Sequence, residues 1–170
     1  MKNLIYSATL FILSASSLNS QCMVKHFMNE DYEDSYIESK SKLIAGTLET
    51  KTSLTVAFTF SSSGNLDIHF ASIHKNMLSQ SSGDAVYLVF NDSIVEKLLV
   101  TKDKVSQLTS SGNSWIIFNS FPINKNIADK LRYIGLKSVK VGITEYAVNK
   151  SGNKKLIALL NCINKKKSAL

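Results

Sequence analysis

Large apolar residues fall on every second position from residue 54 to 60 and again from 66 to 70, and the five residues between, Ser61-Ser62-Ser63-Gly64-Asn65, are all small or polar. Alternate side chains of a strand leave opposite faces, so Leu54, Val56, Phe58 and Phe60 share one face of a first strand. Leu66, Ile68 and Phe70 share one face of the next. Gly64 and Asn65 tolerate the positive φ of a tight reversal, which makes the pair a hairpin. A shorter alternation predicts a strand over residues 43–49. Residues 84–90, the most apolar run after the leader, read as a central strand covered on both faces. Asn91-Asp92-Ser93 turns that strand into another over 94–101. Residues 115–118 make a further buried strand, ended by Phe121-Pro122 because proline has no N–H for a ladder.

The period then changes. Ile127, Leu131 and Ile134 stand at i, i+4 and i+7, which predicts a short amphipathic helix with Asn126 as N-cap and Gly135 as its stop. Residues 136–146 return to alternation, and residues 155–162 read as a closing strand. Residues 22–42 have no clean period and are expected to lie over a sheet edge. Residues 71–83 and 102–113 are long polar connections. Seven or eight strands with one short helix predict an antiparallel β-sandwich, because two half-apolar sheets bury their faces against each other. A partly open β-barrel is the alternative solution.

The ends set the compartment and the domain limits. Lys2, an apolar run over residues 4–13 and small polar residues over 14–20 form a signal-peptide pattern, with cleavage expected after Ser20. The apolar run is too short to cross a bilayer, which takes roughly 20 residues. The expected division is a signal peptide over 1–20, one sandwich domain over 21–163 and a basic disordered tail over 164–170. The chain has two cysteines, Cys22 and Cys162, one at each end of that domain. In an exporting compartment such a pair oxidises, so a disulfide is expected. A lipid anchor on Cys22 is the weaker alternative to a free periplasmic or secreted chain, since Gln21 stands where lipidation needs a small residue. No transmembrane segment is expected in the mature chain.

Charge narrows the partners. The net charge is +7, with Glu30, Asp31, Glu33, Asp34 and Glu38 crowded near one end and Lys150, Lys154, Lys155, Lys165, Lys166 and Lys167 near the other. Arg132 is the single arginine. Base and phosphate recognition relies on bidentate guanidinium forks, so nucleic acid is a poor fit and a protein or glycan partner a better one. The basic end reads as a solvated tail.

The Gln21 start, the run Asp84-Ala85-Val86-Tyr87-Leu88-Val89-Phe90-Asn91-Asp92 and the helix-then-strand order over 127–143 carry a family likeness. In these features the chain resembles small exported β-sandwich proteins of unknown function from the Bacteroidota. The resemblance implies architecture and compartment, and no activity.

The search for chemistry yields one weak polar cluster. Asp67 and His69 are two apart on a strand and share its non-core face, and His74 follows nearby, so a metal site or an acid–base pair is conceivable there. Cys22, Met23, His26 and Met28 offer soft ligands of the kind copper takes, but Cys22 is expected to pair with Cys162. The acidic run 30–38 lacks the glycine-centred ligand loop of calcium sites. There is no Gly-x-Ser-x-Gly elbow and no phosphate-cradling glycine loop. No catalytic residue, cofactor or metal site is assigned. Trp115 and Tyr87 stand in the most apolar runs and are expected in the core before any binding role. Two readings remain: an exported non-enzymatic binding protein, of inhibitor or immunity type, that works through the loops 71–83 and 102–113; or a hydrolase or metal-dependent enzyme built on Asp67, His69 and His74.

Overall fold

The computed structural model describes residues 22–29, 32–47 and 52–167; the expected signal peptide and residues 168–170 lie outside them. In chain order the described elements begin with β1 (Cys22–Asn29), β2 (Tyr32–Ser39), β3 (Lys42–Thr47), β4 (Thr52–Ser61) and β5 (Leu66–His74). Next come β6 (Ser79–Gln80), β7 (Ala85–Phe90), β8 (Val95–Leu99), β9 (Lys104–Val105), β10 (Gln107–Leu108) and β11 (Trp115–Pro122). The chain continues through α1 (Lys125–Tyr133), β12 (Leu136–Val141), β13 (Thr144–Ala147) and α2 (Lys150–Lys166).

These strands form an antiparallel β-sandwich that does not close into a barrel. The larger sheet has seven strands in the order β1-β2-β4-β5-β11-β10, with β3 also paired to β4. The long β4 makes this sharing workable: its first half pairs with β3 and its last three residues pair with β2. The smaller sheet runs β13-β12-β7-β8, and β6 with β9 makes a separate two-stranded ribbon. The β4–β5 hairpin follows the alternation, with Val56 opposite Phe70 and Phe58 opposite Ile68. All four side chains are buried in the common core. At the turn Gly64 has φ +89° and its N–H donates to the Ser61 carbonyl.

Four strands cannot cover seven, and α2 makes up the difference. It packs on β1, β2, β3 and β4 and against α1. Its apolar face is Leu156, Leu159, Leu160 and Ile163, all buried. That spacing of i, i+3, i+4 and i+7 is helical, so the closing strand expected over 155–162 is corrected to a helix. Asn149 caps it, accepting from the Gly152 N–H at 2.8 Å. The helix runs on through Lys166, whose Nζ donates to the Cys22 carbonyl at 2.9 Å, so it includes residues expected in a disordered tail. Cys22 and Cys162 form a disulfide with their Cα atoms 6.0 Å apart, joining β1 to α2 rather than to a last strand.

Three further expectations change. Residues 22–42, expected to lie over a sheet edge, supply the edge itself: β1 and β2 form a ladder of facing residues from Cys22–Ser39 to Asn29–Tyr32. A backbone ladder needs no apolar alternation, which is why the sequence pattern is silent there. The N-cap of α1 is Asn124, which accepts from the Ile127 N–H at 3.0 Å, rather than Asn126. In β7, Val86, Leu88 and Phe90 are buried while Tyr87 is exposed, so that strand is covered on one face and Tyr87 is not a core residue. No helix among the described residues is long and apolar enough to cross a membrane.

Candidate functional site

Asp67 and His69 lie on the outer face of β5, and His74 lies on its inner face. The separation of five positions between the two histidines is odd, so the two-residue strand period sends them to opposite sides of the sheet. They do not converge, and the three residues form no single cluster. The His69 Nε2 is 2.8 Å from the Thr59 hydroxyl. Burial pushes the His69 pKa below its ordinary value, against the opposing fields of Asp67 and Glu38. Beside it is a shallow cavity of about 280 Å³ lined by Thr55, Ala57, Ala71, Phe118 and Ser120. At its rim the Lys104 Nζ donates to the Phe118 carbonyl at 2.8 Å, and burial lowers the pKa of that amine. A neutral imidazole beside a hydroxyl can exchange hydrogen bonds with a ligand; acyl transfer needs an oriented third group and oxyanion donors as well.

His74 belongs to a buried brace between the two sheets. Its Nε2 is 3.0 Å from the Ser72 hydroxyl and its Nδ1 is 3.2 Å from that of Thr144. The Tyr146 hydroxyl donates to the Ile73 carbonyl at 2.9 Å, and the two rings meet edge to face at 5.7 Å. Burial lowers the His74 pKa and raises that of Tyr146 well above the ordinary phenol value. Both histidines therefore take up their protons at lower pH in the folded chain than in the unfolded one, which does so near pH 6.5. Below that pH the unfolded state binds more protons, so stability is full above it and falls as the pH drops toward the folded-state values. Urea midpoints measured at pH 7.5, 6.5 and 5.5 will fall with pH. The double variant His69→Gln, His74→Gln will show a flatter dependence, and equal slopes would refute this origin.

The two long polar connections meet. Ser79 in β6 pairs with Val105 in β9, and Gln80 with Lys104. The Leu78 N–H donates to the Ser106 hydroxyl and the Ser106 N–H to the Leu78 carbonyl, each at 2.8 Å. The Ser82 N–H donates to Asp103 Oδ1 at 2.7 Å. Beneath this ribbon the buried Asn119 amide donates to Gln80 Oε1 at 3.0 Å. The turn after β12 joins the same end, because the Leu78 side chain lies directly against Gly142.

This loop end carries exposed apolar side chains on hydrogen-bonded backbone. Met77 is 58% exposed, Val105 57%, Leu108 53% and Ile143 97%. Ile143 escapes the sequence reading because it extends the alternation of Val139 and Val141. Gly142, at φ +58°, ends that alternation and turns Ile143 outward. Trp115, expected in the core, is half-buried opposite Leu108. Among the described residues no three His, Cys, Asp or Glu side chains are grouped to hold a metal ion. Comparison of the chain with protein-family models, curated proteins and solved structures finds no match.

Proposed function

We propose that this chain is an exported, non-enzymatic binding protein that meets a protein partner through its loop end. The observation that carries the reading is the pairing of 71–83 with 102–113, which sets Met77 and Val105 in solvent beside Ile143 on the adjoining turn after β12. Apolar side chains on a preorganised surface gain burial on binding without a large ordering cost. The exported compartment is supported by the leader pattern and by the Cys22–Cys162 disulfide. An inhibitor or immunity-type role fits a rigid sandwich that presents loops. The hydrolase reading loses support from the placement of His69 and His74 on opposite faces.

Affinity capture from the producing cells with tagged mature chain tests the reading. One near-stoichiometric protein is expected, and it will be lost with Met77→Asp or Ile143→Asp. Each change alters a solvent-facing side chain, so the melting temperature will move by less than about 2 °C. Recovery of the chain alone, or capture indifferent to both changes, would overturn the proposal.

A further inference from the structure

At the end of the molecule away from the loop end, a cavity of about 500 Å³ opens between the β4–β5 hairpin, α1 and the last turn of α2. Its walls hold three cations, Lys125, Arg132 and Lys167, against one carboxylate, Asp129. The Arg132 side chain is 18% exposed; its Nη1 is 3.4 Å from Asp129 Oδ1, and its Nε is buried with no hydrogen-bond partner. One carboxylate at that distance leaves the guanidinium fork partly unmet, and an unmet charged donor away from water is costly. Lys167 Nζ sits 4.2 Å from the centre of the Phe60 ring, which holds a second positive charge at the cavity wall.

The rest of the lining is mixed. Phe60, Leu66, Pro122 and Ile123 supply apolar surface, and Asn65, Asn124 and Asn164 supply amides. Asn124 uses its Oδ1 as a helix cap, which leaves its NH₂ group to donate elsewhere. A net positive wall, side-chain amides and an apolar floor match a ring with one carboxylate, several hydroxyls and a C–H face. Sites of roughly 300–1,000 Å³ hold small molecules of that size. Arg132 also lines a second cavity of about 310 Å³ with Lys150 and Asn153, so a linked second ring would meet further cationic and amide groups.

We propose that this cavity binds a carboxylate-bearing sugar, a uronic acid or a short oligomer of one. It is a second site, separate from the loop end and independent of any protein partner. Inorganic phosphate can meet the same guanidinium fork, but it brings no ring to the apolar and amide lining, so the two are separated by experiment.

Isothermal titration of the mature chain with digalacturonate, neutral digalactose and inorganic phosphate tests the assignment. Digalacturonate is expected to bind at least about tenfold more tightly than digalactose, the scale of one charge-assisted contact. Lys125→Glu and Lys167→Glu, both at exposed positions, will each weaken it by a similar factor in a chain that still melts cooperatively. Arg132→Lys keeps the charge but loses the fork, and will weaken digalacturonate while leaving digalactose unmoved. The same lysine variants will leave capture at the loop end intact, so the two proposals fail separately. Equal binding of the neutral sugar, no binding at all, or displacement by equimolar phosphate would each overturn the assignment.

Discussion

Replacing both cysteines with serine will lower the melting temperature by about 10 °C or more. The bridge closes a loop with a sequence separation of 140 residues, and the chain-entropy model gives a loop of that length about 5 kcal/mol at its upper end. Each kcal/mol moves the midpoint of a domain this size by roughly 2–4 °C. The position amplifies the effect. Cys22 is fully buried at the start of β1, an edge strand of the large sheet, and α2 is the element that covers β1 to β4. Without the bridge the helix end still meets the strand start through the Lys166 Nζ bond to the Cys22 carbonyl and through packing. A thermal melt with and without reductant, beside the Cys22→Ser, Cys162→Ser variant, checks this. Both treatments are expected to give the same shift, and a shift below about 3 °C would mean that packing alone fixes α2.

How much of this was legible in advance depends on which signal each element uses. The β4–β5 hairpin was readable because one of its faces is buried and the other is not, so the two-residue period survives in the residue types. Leu156, Ile157, Leu159 and Leu160 are dense enough to suit a strand, and the helical reading needs Ile163 and the Asn149 cap to be weighed together. Those two signals were present in the sequence. The placement of His74 was present too, by parity with His69, once β5 is carried to residue 74. What carries it there is the long partner β11, whose Trp115 faces His74, and a partner forty residues away leaves no mark on local pattern.

The candidate sites were less legible for the same reason. The exposed side chains of the loop end come from three separate connections, and only their pairing brings them together. Lys125 and Lys167 stand 42 positions apart (167 − 125) with Arg132 between them, and the three share no periodicity. Charge counting along the chain read the last lysines as a solvated tail. In the fold Lys166 ties α2 to β1 and Lys167 stands over Phe60. A formal charge thus says little about its role until the surface that receives it is known.

Gly152→Ala will destabilise the chain by about 2–3 kcal/mol, although the same change in a free helix interior would gain up to about 1 kcal/mol. Gly152 is the third residue of α2, and a Cβ there would run into the backbone carbonyl of Ile44 in β3. A backbone oxygen cannot rotate away as a side chain can. Val148 Cγ1 stands 3.1 Å from the same point and closes the sideways escape. The helix cannot back off cheaply either. Its first turn is held by the Asn149 cap, and Asn153 clasps β12 by accepting from the Leu136 N–H at 2.7 Å and donating to the Leu136 carbonyl at 2.8 Å. Moving α2 outward would break those bonds and open the core at Leu156 and Leu160. The expected midpoint loss is about 4–12 °C on the usual scale for a domain of this size. Lys154→Ala, at an exposed position of the same helix, will change it by less than about 2 °C. If Gly152→Ala melted with the parent chain, α2 would have to lie farther from β3, and the layer that completes the sandwich would need another account.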